Sequence, residues 1–385
     1  MTKVLITGAG IAGPAAAIAL HKAGIHAEIA EARTPEDDAG AFLTLTANGI
    51  DALHAIDAAQ PVLDASFPAT RLRMFDPAGK LLADVPLGRD HPGPRTITRA
   101  ALSQALRREA ARRGIPVRYA TRLTTAAAAP GSGVTAAFAD GTKVQADLLI
   151  GADGIHSPVR TLISPAAPGP RYTGLMIACG YADDGPPAAE TGAYDMCYGT
   201  RGFFGYTTAP DTRNWWFARI PAPELTPAEA AAPAAAWRQR LAAAFSDDRT
   251  PAATLIQATS HITVTSAYDI PALPAWHNGS MIVIGDAAHA ASPSTTQGAS
   301  MALEDAAILA LCLRDILSVP DALGHFEHLR RDRAERVVLS GAVAENPAPP
   351  GPGSPPRRGN PPGWLYSHHI DWNSRMRETD DSITC

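Results

Sequence analysis

Gly8-Ala9-Gly10-Ile11-Ala12-Gly13 is the stretch of sequence that decides the fold. It follows an apolar run at residues 3–7 and begins a helical pattern at residues 12–23, and a second apolar run follows at residues 26–30. This order predicts a strand, a helix and a parallel strand. The first glycine permits the tight turn, the second lets a diphosphate approach the backbone, and the third allows close packing of helix and strand.

Glu31 ends the second predicted strand, about 20 residues after the glycine turn, where a carboxylate can bind both hydroxyls of a ribose. A diphosphate would then lie at the N-terminus of the first helix, where unpaired N–H groups point outward. The pattern indicates a dinucleotide but does not by itself separate FAD from NAD. A glycine-rich turn without any ligand is the structural alternative.

Composition limits the class of protein. The chain has 385 residues, of which 46% are hydrophobic and 18% charged, with a formal net charge of −5. This length suits two domains, and the mild acidity gives no reason to expect nucleic acid or an anionic membrane as partner. The four cysteines form no C-x-x-C pair, so neither a disulfide scaffold nor a metal site is expected, and a reducing cytoplasm is the predicted location. A signal peptide is the other interpretation of the apolar N-terminus, but the glycines and the charged Lys22 and Glu28 interrupt it.

The chain divides by the period of its apolar residues. Helical and buried-strand patterns predict a discontinuous α/β domain, Rossmann-like and three-layered, over residues 1–70, 96–170 and 276–344. Extended segments at residues 175–181, 203–208, 215–220 and 261–265, with a helix at residues 227–245, predict a second domain with a mostly antiparallel sheet over residues 71–95 and 171–275. Residues 345–385 form a tail whose first part, residues 346–363, is rich in Pro and Gly and predicts a linker.

Two further motifs place acids at strand ends. Asp147-Leu-Leu-Ile-Gly-Ala-Asp153-Gly154 runs on to Ser157 and Arg160, and an ordinary strand-turn-helix capped by Ser157 or Asp153 is its structural alternative. Ile282-Val-Ile-Gly285-Asp286 runs on through Pro293 and Gln297-Gly298 to Glu304-Asp305. An acid at such a strand end can accept hydrogen bonds from a polyhydroxy chain.

In order and spacing, the three motifs resemble those of the single-component FAD-dependent aromatic hydroxylases, the para-hydroxybenzoate hydroxylase family. The likeness covers residues 1 to about 340. Arg99 matches the flavin-contacting arginine of that family, and Trp276-His-Asn-Gly-Ser280 leads into the third motif as the family pattern does. The resemblance implies FAD as cofactor and NAD(P)H as a transient co-substrate, which fits the absence of a second G-x-G-x-x-G unit.

The resemblance also implies site residues. It assigns FAD binding to a set drawn from all three motifs: Gly8, Gly10, Ile11, Ala12, Gly13, Glu31, Arg33, Arg99, Asp153, Gly285, Asp286, Gly298 and Ala299. It assigns catalytic roles beside the flavin ring to Pro293, Gln297 and Gly298. Negative charge develops at the pyrimidine edge of the ring on reduction, and a helix N-terminus suits that charge.

The reaction implied is hydroxylation of an aromatic or polyketide-like small molecule with O2, through a flavin C4a-hydroperoxide that must be kept from water. Biosynthetic tailoring and antibiotic inactivation both stay open. The chain departs from the family pattern at Thr296, which replaces a glycine, at Ser300, which is often Asn, and in its Pro-rich tail.

The substrate wall is predicted on the second sheet, from Tyr194, Tyr206, Arg213, Trp215 and Phe217. Aromatic residues at alternating strand positions are more often core than pocket, so a core role is the alternative for them. Arg213 in a tight turn favours a solvated position. His289 is the nearest candidate for a base, with a structural role at the helix start as the alternative.

Other functions fit parts of the sequence. An NAD-dependent dehydrogenase or another FAD oxidoreductase could share the glycine motif, although no C-x-x-C supports a disulfide reductase. A flavin-binding protein without turnover is kept open by Thr296 and Ser300. The segment Trp216-Phe-Ala-Arg-Ile-Pro221 resembles a motif of flavin-dependent halogenases, but Ala218 stands where that motif has a second Trp.

Overall fold

The structure is a computed structural model that describes residues 2–35, 41–88, 93–129, 133–188, 190–345 and 363–376. The predicted Pro/Gly-rich linker at residues 346–363 lies outside these ranges except for Gly363. Among the described helices, none combines the length and the apolar character that crossing a bilayer requires.

The strands of the described residues are, in chain order, β1 Lys3–Thr7, β2 His26–Ala30, β3 Phe42–Leu45, β4 Phe67–Pro68, β5 Arg71–Phe75, β6 Leu81–Pro86, β7 Arg95–Thr98, β8 Val117–Arg118, β9 Leu123–Ala129, β10 Gly133–Phe138, β11 Lys143–Ala146, β12 Leu148–Gly151, β13 Arg171–Ala182, β14 Ala193–Tyr198, β15 Phe203–Thr208, β16 Asn214–Pro221, β17 Thr259–Asp269 and β18 Met281–Val283.

The α-helices of the same residues are α1 Ala12–Lys22, α2 Ala47–Ala55, α3 Ala59–Asp64, α4 Arg99–Arg112, α5 Pro158–Ile163, α6 Pro227–Ala230, α7 Ala234–Ala244, α8 Ala252–Gln257, α9 Asp286–His289, α10 Gly298–Asp315 and α11 Val319–Glu345. Short 3-10 turns lie at Pro293–Thr295 and Gly363–Leu365.

A parallel sheet forms the centre of the first layered unit. Its order is β18-β12-β1-β2-β8, with every neighbouring pair parallel. The strands β1, β12 and β18 are almost wholly buried because both faces of the sheet are covered. Helices α1, α4 and α10 pack on one side, and the antiparallel β9-β10-β11 sheet covers the other. The predicted α/β class with three layers is confirmed.

A seven-stranded sheet forms the second unit, in the order β17-β13-β16-β15-β14-β5-β6. Its pairs are antiparallel except β14 with β5, which run parallel. The early hairpin β5–β6 therefore joins strands from much later in the chain. Helices α7 and α8 cover one face around buried Trp216, Phe204 and Phe245.

Several elements differ from the sequence prediction. The single helix expected at residues 227–245 is two helices, because Pro233 forms the N-cap of α7 and lacks an N–H group for a continuous ladder. Strands β3, β5, β6, β7, β9 and β14 and helix α8 were not predicted. Residues 363–376, which the sequence left unassigned, pack on the first unit with Leu365 and Ile370 in its core.

Candidate active site

The glycine turn is built with almost no free space at two of its three glycines. Gly8 has φ +101°, and a Cβ there would lie 2.3 Å from the carbonyl oxygen of Ala152 on the neighbouring strand end. A Cβ on Gly13 would lie 1.9 Å from the carbonyl oxygen of Gly8. A Cβ on Gly10 would meet no protein atom within 4 Å. Protein backbone therefore fills the space beside Gly8 and Gly13, whereas the space beside Gly10 is open. A diphosphate fits this open space.

The Glu31 carboxylate connects the turn to the end of β2. One oxygen accepts a hydrogen bond from the Ala9 N–H at 2.5 Å, and the other accepts from the Arg33 N–H at 2.8 Å. The Arg33 side chain is exposed beside it. Each carboxylate oxygen keeps further lone pairs for a ribose hydroxyl.

Helix α4 supports the same turn, and sequence analysis missed this. The Ser103 hydroxyl donates to the Gly10 carbonyl at 3.1 Å, and the Arg107 guanidinium donates to Ser103 Oγ at 3.0 Å. Thr98 caps the helix by accepting from Ala101 N–H, which leaves the neighbouring Arg99 side chain exposed at the helix start. The helical spacing of Ser103 and Arg107 was visible in the sequence, but it did not show what they face.

The second motif closes the end of β12. Ser157 caps α5 by accepting the Arg160 N–H at 3.0 Å, as the structural alternative predicted. The Asp153 carboxylate turns toward the Thr7 hydroxyl, 3.3 Å away. Burial raises the pKa of Asp153 to about 6, and its Oδ1 atom is buried without a hydrogen-bond partner among the described residues.

The third motif packs tightly on α1 and α10. Gly285 has φ +58°, and a Cβ there would lie 3.2 Å from the Cβ atoms of Ala12 and Ala302. Its N–H donates to the buried Asp305 carboxylate at 2.8 Å. The adjoining Asp286 carboxylate stands at the start of α10, 3.8 Å from where a Gly298 Cβ would lie.

The loop at residues 293–298 joins this motif to the N-terminus of α10. Thr296 adopts a left-handed conformation with φ +53°, a geometry that favours glycine and that explains why glycine stands here in the resembling family. Gln297 is fully buried, and its side chain is turned away from the cleft, since Oε1 accepts from Asn48 at 2.9 Å and Nε2 donates to Thr46 at 3.1 Å. Any contact of Gln297 with a flavin would therefore come from the backbone.

A buried network of ion pairs supports the loop at residues 293–298. Arg330, fully buried, donates to Glu304 at 2.6 Å and to Asp305 at 2.8 Å. Burial alone would raise the pKa of Glu304, but the charges of Arg330 and Arg333 outweigh it and hold that pKa at about 2. Glu304 also accepts from Asn48 at 2.6 Å, which connects the network to Gln297.

His289 belongs to this network rather than to the reaction cleft. Its Nε2 lies 2.6 Å from Asp305 Oδ2, the ring is 5% exposed, and it packs on Trp276. The structural role is therefore favoured over that of a base. Ser300 is likewise buried, with its hydroxyl 2.7 Å from Thr46 Oγ1, and the close approach of Gly49 to it leaves room only for a small residue.

The seven-stranded sheet turns one face toward this loop. Residues directly opposite each other in neighbouring strands share a face, which places Phe217, Cys179 and Gly205 in one row. Phe42 of β3 packs against this face, with ring centroids 5.7 Å from Trp215 and 5.9 Å from Phe217. These aromatic side chains pack against each other where the two units meet.

Arg219, which sequence analysis missed, is the charged residue of that face nearest the loop. Its Nη1 atom donates to the Ser294 hydroxyl at 2.5 Å, and its guanidinium lies 4.1 Å from the centroid of the Phe203 ring. Ser294 directly follows Pro293. Alternation along β16 from Phe217 could have placed Arg219 on the same face, but sequence alone did not show which face meets the loop.

Two of the residues predicted for the substrate wall lie elsewhere. Tyr206 points to the opposite face of its strand, where its hydroxyl donates to buried Asp195 at 2.9 Å, so it is a core residue. Arg213 is exposed in its turn and pairs with Asp211 at 2.7 Å, the solvated alternative. Tyr194 does face the first unit, with its hydroxyl bonded to Thr44 and Thr96, and burial raises its pKa to about 12.

The ends of β2, β1, β12 and β18 bring the three motifs to one edge of the parallel sheet, as expected for a dinucleotide site. The model of the family described as FAD binding domain matches residues 1–340. The chain belongs to this FAD-binding family. FAD is therefore its cofactor, and the predicted identification with the FAD-dependent aromatic hydroxylases is confirmed.

Curated relatives of this FAD-binding chain are monooxygenases. The 3-amino-4-hydroxybenzoate 2-monooxygenase PtnB3 of Streptomyces platensis is 32% identical over 87% of this chain and 85% of that protein. The aurachin C monooxygenase/isomerase of Stigmatella aurantiaca is 29% identical over 87% of this chain and 86% of its own length. These matches identify the chain as an enzyme of the FAD-dependent monooxygenase class.

Solved structures share the fold over most of the chain. HpxO of Klebsiella pneumoniae, solved with FAD and uric acid, superposes with a TM-score of 0.82 at 25% identity, covering 89% of this chain and 88% of that one. CtdE, solved with FAD and a substrate, reaches a TM-score of 0.84 at 24% identity over 96% of both chains and shows likeness of fold.

Proposed function

We propose that this monooxygenase hydroxylates a small, planar, electron-rich aromatic molecule that carries an anionic group, bound in the cleft between the two sheets. The observation that carries the proposal is the position of Arg219, on the aromatic face of the second sheet and in contact with Ser294 beside Pro293. A guanidinium there can bind a carboxylate or phenolate through charge-assisted hydrogen bonds. The names of two relatives, which give an aminohydroxybenzoate and urate as substrates, support this class.

The three motifs would hold the cofactor in an extended form along the sheet edge. Gly8, Gly10 and Gly13 would receive the diphosphate, Glu31 with Arg33 the ribose, and Asp286 the ribityl region. The open space at Gly10 fits such a ligand. Residues Ile11, Ala12, Arg99, Gly285 and Ala299 complete the proposed FAD contacts. We propose that residues 1–70, 96–170 and 276–344 form this FAD-binding domain, and residues 71–95 and 171–275 the substrate domain.

When bound, FAD would supply the redox chemistry by which one oxygen atom of O2 is transferred to the substrate, with NAD(P)H as the reductant. The chain contributes placement and exclusion of water. The N–H groups of Gly298 and Ala299, at the N-terminus of the 18-residue helix α10, would stabilise negative charge on the ring. Three aromatic side chains would pack against the planar substrate and exclude water from it: Phe42, Trp215 and Phe217.

The test compares two arginines of the same strand region. Arg219→Gln should raise the KM for an aminohydroxybenzoate by about tenfold or more while the protein keeps its yellow colour and FAD content, because one charge-assisted contact is lost. Arg213→Gln, in the exposed turn, should leave KM within about twofold. Equal KM values for Arg219→Gln and the parent enzyme would refute the role of Arg219. A parent protein that takes up no FAD would refute the cofactor site instead.

A further inference from the structure

The C-terminal strap, defined as residues 363–376, lies across the outside of the first unit. Its Leu365 and Ile370 side chains are 6% and 7% exposed and belong to the same core as α1, α2 and α10. The family model matches residues 1–340, so the strap lies outside the segment that this model covers.

The strap is anchored far from the cleft by groups on separate helices. The Asp51 carboxylate of α2 accepts the Ile370 N–H at 2.7 Å. At the end of α10, Arg314 donates to the carbonyl oxygens of Trp372 at 2.5 Å and Ser374 at 2.7 Å. The Trp372 ring also lies under the Lys22 ammonium of α1, 4.9 Å from its centroid.

Arg333 connects the strap to the loop at residues 293–298 by a path of hydrogen bonds. Its guanidinium donates to the Trp364 carbonyl at 2.7 Å and, with two nitrogen atoms, to Glu304 at 2.8 Å each. Glu304 accepts from Asn48 at 2.6 Å, and Asn48 donates in turn to Gln297 at 2.9 Å. All of these side chains are at least largely buried, so the contacts are shielded from solvent.

Tyr366 reaches the same loop directly. Burial raises the pKa of the Tyr366 hydroxyl, and the nearby side chain of Thr296, the residue in the left-handed conformation where the family has glycine, opposes that rise. Thr296 Oγ1 also donates to the Thr295 carbonyl at 2.6 Å. Thr296, where the family pattern has glycine, therefore lies close to the C-terminal strap.

We propose that the C-terminal strap is part of the flavin site, and that Tyr366 and Arg333 are positioning residues that hold the loop at residues 293–298 against the reduced flavin ring. The proposal rests on the proposed function, because it assumes that the loop at residues 293–298 faces the flavin ring. A helix N-terminus stabilises charge only within its first turn, so a small displacement of Gly298 weakens its effect on the ring.

The decisive measurement is the midpoint potential of bound FAD in the full-length enzyme. Tyr366→Phe removes only the hydroxyl at Thr296, and Ile370→Glu places a second carboxylate beside Asp51 to release the strap at a point remote from the loop. We expect Ile370→Glu to weaken binding of reduced relative to oxidised FAD by about tenfold, which lowers a two-electron potential by about 30 mV. Tyr366→Phe should lower it by a smaller amount.

Tyr268→Phe is the matched control, because the Tyr268 hydroxyl donates to exposed Glu224 on the second sheet. It should leave the potential at the parent value. Hydrogen exchange of residues 363–376 shows whether the strap is released, and circular dichroism shows whether the protein is folded. A released strap in a folded Ile370→Glu enzyme with the parent potential would overturn the proposal.

A double-mutant cycle keeps the proposal testable if Ile370→Glu does not fold. The change in potential caused by Tyr366→Phe should disappear in a Thr296→Ala background, because the partner hydroxyl is already absent. An equal change in both backgrounds, or no change in either, would show that Tyr366 does not act through Thr296 and would overturn the proposal. A parent enzyme that binds no FAD would instead overturn the proposed function.

Discussion

The glycines of one short turn meet two different physical demands. Gly13 is required by the protein itself, since a Cβ there would collide with the Gly8 carbonyl, 1.9 Å away. Gly10 faces open space, so nothing in the protein requires its missing side chain. Packing therefore requires glycine at position 13 but not at position 10, where we propose that the cofactor diphosphate binds.

Alanine substitutions should separate these demands. Gly10→Ala should leave the free energy of unfolding of the apoprotein within about 1 kcal/mol of the parent value, since the residue it introduces meets no clash and has fewer unfolded conformations. Its FAD affinity should fall by about tenfold or more, because the added methyl group occupies the path of the diphosphate. Urea unfolding of the apoprotein and fluorescence titration with FAD measure the two effects.

Gly13→Ala provides the contrast. It should destabilise the apoprotein by several kcal/mol, because the added Cβ would lie 1.9 Å from the Gly8 carbonyl oxygen and could be accommodated only by shifting α1 from β1. Similar unfolding free energies for the two variants would contradict this division of roles.

At the scale of the element, α10 connects the motifs that approach the cofactor. Its adjacent acids have separate partners, since Asp305 accepts from Gly285 of the third motif and Glu304 connects through Asn48 to Gln297. Arg330 of α11 forms an ion pair with each of these two acids. The sequence shows Glu304-Asp305 within the motif, but not the arginines that approach from the next helix.

Arg330→Leu should therefore destabilise the protein by about 3–5 kcal/mol at pH 7, because it leaves two buried carboxylates without their shared cation. The pKa of Glu304 is held at about 2, so the stabilisation from its ion pairs is present above pH 4.5 and is lost as the pH falls toward 2. The destabilisation should accordingly be smaller at pH 4 than at pH 7, as measured by urea unfolding.

Arg331→Leu is the control for this change. Arg331 is a neighbour on α11 but is partly exposed and pairs with Glu327 and Glu335 on its own helix, so its loss should cost only about 1 kcal/mol. Equal costs at both positions would show that the buried network contributes nothing beyond surface pairing.

Strand faces mark the limit of prediction at this scale. The sequence placed aromatic residues at alternating positions of β15 and β16, which established that they divide between two faces. The sequence did not establish which of the two faces meets the loop at residues 293–298. The answer depends on helices α7 and α8, which cover the opposite face. Tyr206, predicted for the substrate wall with a core role as the alternative, lies on the face that α7 and α8 cover. Arg219, which was not predicted, lies on the face that meets the loop at residues 293–298.

At the scale of the whole molecule, the sequence predicted most of the parallel sheet and its strand-end motifs, because each is a local pattern with its own spacing. The short strands β3, β7 and β14 were missed because their pairing partners are distant in sequence and their apolar runs are brief. The docking of residues 363–376 was missed for the same reason, since its anchors are spread over four helices.

The packing of the C-terminal strap on the first unit should become less stable as the pH falls. Burial lowers the pKa of His368 to about 4, an effect that nearby Glu304 and Asp51 oppose and Arg330 and Arg333 reinforce. A histidine held neutral contributes stability above its unfolded pKa of about 6.5, and that stability is lost as the pH falls from there to 4, by up to about 3 kcal/mol. Hydrogen exchange of residues 363–376 should therefore accelerate across this range.

His368→Gln, which cannot take up a proton, should remove that dependence, while exchange in the central strands β1 and β12 should stay constant from pH 6.5 to 5 after correction for intrinsic rates. Acceleration of the same size in the His368→Gln variant would assign the acid response to another group.

The parallel pairing of β5 with β14 has a consequence for how the protein is made. Arg71 lies opposite Ala193, so the hairpin β5–β6 leaves the ribosome about 120 residues before its neighbour. At a synthesis rate of ~5–20 residues per second, the hairpin β5–β6 remains without its neighbour β14 for roughly 6 to 24 seconds. During that interval Leu81 and Leu82, which stay about half exposed even in the finished fold, are open to any newly made chain nearby. Slower translation between residues 87 and 193 would lengthen this exposure and lower the yield of folded enzyme.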